Sequence, residues 1–417
     1  MKKIILGIFL LTLTLALNGC TSSISGEDTD LNKSNRQVDK IKQQIDNMTL
    51  DEKIGQLITV GIDGYNLDDN AKDLIESKKV GGIILFKNNV NDSNQLLQLI
   101  NSIKETNSTN KTPIFISVDE EGGRVNRFPK EIKALPSNKI VGNKNDSNLA
   151  YDIGKDIGYA LSSFGYNMDF APVLDINSNP NNTVIGDRAF SSDKNIVADL
   201  WANEIKGFIS SNVICVAKHF PGHGDTATDS HYSLPIINKT IEQLQDIEFV
   251  PFKKAIEQKV PAIMVSHILL PNVDNTNPAS MSKPIITDIL RKDLKFDGVV
   301  VSDDMTMGAI TNDYDISEAC IKSINAGTDL LLVCHGYDNE VKVINSIKEA
   351  VNNKTISMDR IDESVYRILS LKENYKLSDE KIESIDIDII NSKFEDISKR
   401  VEWFFRMGMD THSIFCF

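Results

Sequence analysis

The most informative stretch of this sequence is VICVA (Val213–Ala217) followed by KHFPGHGDTATDSHYSLP (Lys218–Pro235). The first run is apolar and rich in β-branched residues, which predicts a short buried strand. The second holds three of the six histidines, and a proline and a glycine between His219 and His223 break any helix there, so it is predicted to be a loop. An i, i+4 metal-binding helix is therefore excluded. A loop dense in ionisable groups after a buried strand is typical of the catalytic edge of α/β folds.

The same pattern of a short β-rich run, a polar turn and an amphipathic helical stretch recurs along the chain. The β-rich runs are Leu57–Ile62, Gly82–Phe86, Ile114–Val118, Met168–Val173, Val213–Ala217, Ala262–Val265, Gly298–Val301 and Asp329–Val333. The predicted helices are Ser93–Thr106, Asn148–Phe164, Ile196–Ser210, Ile241–Gln258, Pro284–Lys292, Ile316–Asn325, Glu340–Asn352 and Met358–Leu371, with a further helix opened by a capping box at Thr49–Glu52. This alternation predicts an α/β fold, a (β/α)8 TIM-type barrel with a short helical C-terminal extension. A doubly wound open sheet is the alternative.

Ionisable residues stand at the end of six of these runs: Asp119 and Glu120, Asp175, Lys218 and His219, His267, Asp303 and Asp304, and His335. The carboxyl ends of barrel strands gather at one face, where catalytic groups belong. The barrel hypothesis therefore predicts that these side chains share one site.

Composition narrows the class of function. The 417 residues carry a formal net charge of -14, and no basic face is available for a nucleic-acid partner. No P-loop, dinucleotide fingerprint or compact cysteine set occurs, so no cofactor and no metal are predicted. Cys215 and Cys334 lie inside apolar runs and are predicted to be buried hydrophobes rather than disulfide partners. A reaction run by carboxylates and a histidine suggests hydrolysis.

Two short motifs carry the predicted chemistry. Asp303, at the mouth of the seventh strand, is placed to serve as nucleophile, general base or acceptor for sugar hydroxyls, whereas Asp304 is predicted to cap the next helix. In Asp229-Ser230-His231, the carboxylate is predicted to orient the imidazole, so that His231 can serve as a proton donor near neutral pH.

Two further loops combine acids with arginines. VDEEGGRVNRF (Val118–Phe128) and GDRAF (Gly186–Phe190) follow the third and fourth runs. Their carboxylates and guanidinium groups suit bidentate hydrogen bonds to pairs of hydroxyls. Arg124 is instead predicted to form a salt bridge that ties the loops together.

Together these motifs resemble the bacterial β-N-acetylglucosaminidases (β-N-acetylhexosaminidases) of glycoside hydrolase family 3, of the cell-wall recycling type, from about Thr49 to Leu371. The resemblance implies a retaining, exo-acting enzyme in which Asp303 is the nucleophile and His231, assisted by Asp229, is the acid/base. It implies that Asp119, Arg127, Arg188, Lys218 and His219 bind the terminal N-acetylglucosamine of peptidoglycan fragments or related amino-sugar oligosaccharides, without a cofactor.

The resemblance leaves alternatives. A family 3 β-glucosidase or glycoside phosphorylase is the rival within the enzymes, although many β-glucosidases of the family take their acid/base from a second domain. A catalytically inactive, lipid-anchored sugar-binding protein is the rival from another class. The natural substrate and the oligomeric state stay open.

The two ends of the chain differ from the barrel region. Residues 1–20 resemble a lipoprotein signal peptide with Cys20 as the lipidated residue, and residues 21–38 a flexible tether. This predicts an extracytoplasmic protein held to a bacterial membrane only by its lipid, or secreted if the lipobox is not used. Residues 39–375 are predicted to form the catalytic domain. Residues 376–417 are predicted to be a linker-like tail of a truncated second domain, with the linker at Phe394–Val401.

Overall fold

The computed structural model describes residue 38 and residues 40–412, with side chains described as far as residue 402. The chain divides after Gln44 into two units. Helix α1 covers residues 40–46. All elements discussed below belong to the second unit. Cys20, the signal-peptide region and the tether up to residue 37 lie outside the described residues, as does the end of the chain from residue 413. None of the helices in the described part combines the length and apolarity that a membrane span requires.

Eight parallel strands close into a barrel in chain order. Their bounds are β1 Ile58–Gly61, β2 Gly82–Ile84, β3 Phe115–Val118, β4 Met168–Asp169, β5 Ile214–Phe220, β6 Ala262–Val265, β7 Val299–Asp304 and β8 Leu330–Val333. Strand β1 pairs with β8, with Ile58 opposite Leu331, which completes the cylinder. The predicted (β/α)8 barrel is confirmed, and the open sheet is excluded.

One strand is longer than its apolar pattern predicts. Lys218 and His219, predicted to open a loop, lie on β5, which runs to Phe220. Both side chains are buried although they can carry charge, because acidic partners from the segments after β3 and β4 meet them. The loop that follows therefore begins at Pro221.

The helices are α2 Leu50–Gln56, α3 Asp69–Glu76, α4 Ser93–Asn107, α5 Asn138–Lys144, α6 Ser147–Phe164, α7 Lys194–Ser210, α8 Ile241–Asp246, α9 Phe249–Glu257, α10 Gly308–Thr311, α11 Ile316–Ala326, α12 Tyr337–Asn352, α13 Met358–Asn374 and α14 Ile387–His412. The capping box is present, since Thr49 Oγ1 accepts a bond from Glu52 N–H while Glu52 Oε2 accepts one from Thr49 N–H at 2.7 Å. The predicted helix 241–258 divides in two, with Pro251 in the first turn of α9, where its missing N–H matters least. Residues Pro284–Asp293 form a π-helix.

The C-terminal extension is a docked helix. The apolar side chains of Ile390, Phe394 and Ile397 on α14 are each 2% exposed or less. Lys393 Nζ lies 3.0 Å from Asp156 Oδ1 on α6, which adds a polar contact. The segment Phe394–Val401, predicted to be a linker, is therefore part of a helix packed on the barrel, because its apolar residues recur at helical spacing and are buried there.

Glu204 on α7 provides a test of the packing between the outer helices. Its side chain is 2% exposed, and burial, followed by the charge of Glu121, raises its pKa to about 8. The folded state therefore holds a proton that the unfolded state releases above about pH 4.5, so stability falls as the pH rises from there to about 8. Glu204→Gln should leave the melting temperature at pH 5 nearly unchanged and stabilise the protein at pH 8 to 9 by up to about 4 kcal/mol.

The matched control for this prediction is Asp199→Asn, an exposed acid on the same helix. Thermal unfolding of the wild type and both variants from pH 5 to pH 9 provides the measurement. Equal pH dependence of Glu204→Gln and the wild type would contradict a buried, protonated Glu204.

Candidate active site

A cavity of about 240 Å³ opens at the carboxyl end of the barrel strands. Its walls include most of the predicted site residues, namely Asp119, Arg127, Arg188, Lys218, His219, His231 and Asp303. Asp229 contacts the lining residue His231, with its Oδ1 at 2.8 Å from His231 Nδ1. A larger cleft of about 700 Å³ lies at the opposite end of the barrel, lined by Val260, Gly298 and the end of α13. The barrel architecture places chemistry at the carboxyl-end cavity.

A buried charge cluster forms one side of the cavity. Lys218 Nζ lies 2.6 Å from Asp119 Oδ1 and 2.7 Å from Glu121 Oε1. Arg188 binds the same Glu121 carboxylate with two parallel bonds, both 2.8 Å long. Burial opposes the charge on Glu121, but Arg188 and Lys218 outweigh it and hold the pKa of Glu121 below its usual range. The cluster thus fixes two donors and two acceptors around one point, from the loop after β3, the loop after β4 and strand β5.

His219 is oriented by a carboxylate in the segment that follows β4. Asp175 Oδ2 lies 2.6 Å from His219 Nδ1, and Asp175 Oδ1 accepts the backbone N–H of His223 at 2.6 Å. Burial would raise the pKa of Asp175, but the charge of His219 and its hydrogen bond, together with His223, lower it. Asp175 therefore stays ionised and holds the His219 ring with its other nitrogen free for the cavity.

Asp303 lies on β7 at the floor of the cavity, half-buried. One oxygen accepts the backbone N–H of Asp304 at 2.9 Å. Burial opposes ionisation, yet the nearby His267 and His219, the Asp304 N–H and Lys218 together lower the pKa of Asp303. Asp303 is therefore a carboxylate at neutral pH, which is the form that a nucleophile or general base requires.

The neighbouring acid has a different task. Asp304 Oδ1 accepts bonds from the backbone N–H groups of Thr306 at 2.9 Å and Cys334 at 3.0 Å. The prediction that Asp304 caps α10 is wrong, because Met307 is the residue before that helix. Asp304 instead joins the ends of β7 and β8.

His231 projects from the loop of residues 221–235, and its side chain is 65% exposed. Its Nδ1 lies 2.8 Å from Asp229 Oδ1, and the same oxygen accepts the His231 backbone N–H at 2.9 Å. Burial alone would raise the pKa of Asp229. The two bonds from His231 and the charge of His231 outweigh burial, so the pKa of Asp229 lies below its usual value. The ionised carboxylate leaves Nε2 as the ring atom that is free to exchange a proton.

The backbone of this loop is joined to α10. The amides of Gly308 and Ala309 donate to the carbonyls of His231 at 3.2 Å and Ser230 at 3.0 Å. A side chain at Gly308 would place its Cβ 2.7 Å from the His231 carbonyl oxygen, so this close approach requires glycine. Ser230 also contacts the buried His223 ring at 3.2 Å.

The loop after β3 carries Arg127. Glu120, 1% exposed, accepts the backbone N–H of Arg127 at 2.6 Å and that of Gly122 at 3.3 Å, and burial raises its pKa to about 7. Arg127 Nε is buried and has no hydrogen-bond partner among the described residues. Arg124 pairs with Asp187 at 2.9 Å and with carbonyls of the loop after β4, so its predicted role in tying the loops together is confirmed.

Comparison with known proteins identifies the barrel. Residues 49–371 match the family described as "Glycosyl hydrolase family 3 N terminal domain". The chain belongs to glycosyl hydrolase family 3. The family predicted from the sequence motifs is confirmed.

Similar proteins are known from several bacteria. "Beta-hexosaminidase A" of Pseudoalteromonas piscicida is 33% identical over 330 residues, which cover 73% of this chain and 55% of that protein. "Beta-hexosaminidase" of Idiomarina loihiensis is 34% identical over 293 residues, or 69% of this chain and 87% of that protein. The solved family 3 β-N-acetylglucosaminidase of Paenibacillus sp. str. FPU-7 superposes with a TM-score of 0.80 at 37% identity, covering 85% of this chain and 69% of that one. The chain thus spans about half of the first relative and most of the second.

The family 3 site contains residues whose roles the sequence did not reveal. Glu121 contacts both Lys218 and Arg188, although its position in the run of acids gives no sign of which acid turns inward. Asp175 was placed at a strand end, but its partner His219 is known only from the fold. The rings of Phe86 and His335 stack on the cavity wall with their centroids 5.2 Å apart. Phe86 follows β2 and His335 follows β8, so no local motif predicts this contact. Within the described residues, no three histidines, cysteines or acids are grouped to hold a metal ion.

Proposed function

We propose that this chain is a retaining, exo-acting β-N-acetylglucosaminidase that removes terminal β-linked N-acetylglucosamine from peptidoglycan fragments or related amino-sugar oligosaccharides. The observation that carries the proposal is that Asp303 and His231 line the same cavity. Asp303 is ionised, and Asp229 holds Nδ1 of His231. A cavity of about 240 Å³ fits one terminal sugar rather than a chain of them.

The proposed reaction has two displacements. His231 Nε2 gives its proton to the glycosidic oxygen while Asp303 attacks the anomeric carbon, so the leaving sugar departs and a glycosyl ester forms on Asp303. The neutral His231 then takes a proton from water, and that water releases the sugar from Asp303 with its configuration retained. Asp229 stabilises the imidazolium before the first step and after the second.

The charge cluster has the chemistry to bind the sugar. Lys218, Arg188 and Arg127 present donors toward the cavity, and Asp119 presents an acceptor. Alternating donors and acceptors suit vicinal hydroxyl groups. Because Asp119 and Glu121 together balance the charges of Lys218 and Arg188, this cluster can bind a neutral sugar without an excess of positive charge.

The test is hydrolysis of a chromogenic β-N-acetylglucosaminide beside the matching β-glucoside, with and without phosphate. Turnover of the first alone, independent of phosphate and with the β-anomer formed initially in an NMR time course, supports the proposal. Preference for the glucoside favours a β-glucosidase, and dependence on phosphate favours a phosphorylase. Sugar binding without any turnover favours the inactive binding protein. A peptidoglycan disaccharide and a chitin-type disaccharide, compared by kcat/KM, separate the two substrate classes.

We also propose that the protein is extracytoplasmic and anchored to a bacterial membrane through lipid on Cys20. The support is the sequence of residues 1–20 alone, which lie outside the described residues. Fractionation of cells expressing the wild type and Cys20→Ala should find the wild type with membranes and the variant in the soluble or unprocessed fraction. An identical distribution of the two would contradict lipidation.

A further inference from the structure

The loop of residues 119–137, between β3 and α5, carries two of the groups that bind sugar in the proposed function. Asp119 begins this loop and Arg127 lies in its middle, and both face the cavity. A binding loop of this length holds its geometry only if something outside the barrel strands fixes it, since few loop residues take part in the sheet. The contacts of residues 128–133 identify that support.

The first contact is aromatic. Phe128, directly after Arg127, is 3% exposed. Its ring meets Phe394 of α14 edge-on at 5.8 Å and Phe164 at the end of α6 at 6.1 Å. Because adjacent residues share a peptide unit of fixed length, the position of the Phe128 backbone limits where Arg127 can reach.

The second contact is a pair of hydrogen bonds from one side chain. Asn391 Oδ1 accepts the backbone N–H of Lys133 at 2.7 Å, and Asn391 Nδ2 donates to the Glu131 carbonyl at 2.8 Å. The amide therefore satisfies two backbone groups of the loop that no strand or helix pairs. Lys133 Nζ also lies 2.7 Å from Glu395 Oε2, one turn further along α14.

Phe164 belongs to α6, and the other contacts described here reach the loop from α14. We propose that α14 is a positioning element of the sugar site, in which Phe394 and Asn391 hold the loop of residues 119–137 so that Arg127 faces the bound sugar. This inference rests on the proposed function, because it assigns the loop to N-acetylglucosamine binding. It gives the C-terminal extension a role in substrate affinity in addition to its role in packing.

The test compares two single contacts of the same helix. Asn391→Ala removes the bonds to the loop, while Lys393→Ala removes the 3.0 Å contact to Asp156 on α6 and leaves the loop untouched. We expect Asn391→Ala to raise KM for the chromogenic β-N-acetylglucosaminide about 3-fold to 10-fold with kcat changed less than about 2-fold, as lost binding in both ground state and transition state produces. Lys393→Ala should leave KM unchanged. Thermal unfolding of both variants measures how much each substitution destabilises the protein.

A second pair of variants tests the aromatic contact. Phe394→Leu should keep most of the wild-type affinity, while Phe394→Ala should raise KM further than Asn391→Ala. Unchanged KM in Asn391→Ala, or equal KM changes in Asn391→Ala and Lys393→Ala, would overturn the inference. If the wild type hydrolyses no β-N-acetylglucosaminide, the proposed function fails first, and that result is distinct from either outcome.

Discussion

Asp303→Asn is expected to lower kcat for a chromogenic β-N-acetylglucosaminide by about 10³-fold to 10⁵-fold. The change removes the carboxylate charge that the proposed mechanism requires for attack on the anomeric carbon but keeps the size of the side chain. The amide oxygen can still accept the Asp304 N–H, so the end of β7 should retain its shape. Initial rates and a thermal unfolding curve of the purified variant provide the measurement.

The matched control for this variant is Asp313→Asn, an exposed acid on the same connection after β7. It loses the same charge at a distance from the cavity and should keep wild-type kcat within about 2-fold. Retention of more than about a tenth of the activity in Asp303→Asn, with the fold intact, would mean that Asp303 does not form the covalent bond.

His231→Ala should have an effect that depends on the leaving group. A proton donor matters most when the departing oxygen is strongly basic, so hydrolysis of a disaccharide or an alkyl glycoside should fall about 10²-fold to 10⁴-fold. A dinitrophenyl leaving group needs no proton, so the first displacement with that substrate should slow by less than about 10-fold. Pre-steady-state and steady-state rates with the two substrates separate these effects.

His335→Ala serves as the control for a cavity histidine that is not the acid. His335 is 64% exposed and stacks on Phe86, and its Nε2 lies 3.7 Å from Asp304 Oδ2, farther than the 2.8 Å between His231 Nδ1 and Asp229 Oδ1. Its loss should affect both substrates by the same factor. Equal losses for both substrates in His231→Ala would contradict the proton-donor role.

The barrel could be predicted because each of its strands has a recognisable local sequence pattern. Each apolar run is short and bounded by turns, and the ionisable residues at the run ends show which edge carries the chemistry. The gathering of Asp119, Lys218, His231 and Asp303 on one cavity follows from that topology.

What could not be predicted depends on partners distant in sequence. Lys218 and His219 resemble loop residues until the fold brings Asp119 and Asp175 beside them, which allows a strand to bury them. Phe394 reads as part of a linker because its partner Phe128 lies far earlier in the chain. Asp304 resembles a helix cap locally, but it accepts the N–H of Cys334, the residue directly after β8.

The two backbone bonds from Gly308 and Ala309 to the His231 loop have a consequence for how the site opens. They connect the loop that carries His231 to the segment directly after β7, so the loop cannot swing away without releasing both amides to solvent. The exchange of these two amide protons with deuterium therefore reports the opening of the loop, and their rates should rise and fall together. A bound sugar that closes the loop would slow the hydrogen exchange of both amides together. Substrate binding can then be followed by the exchange protection of residues that do not contact the sugar.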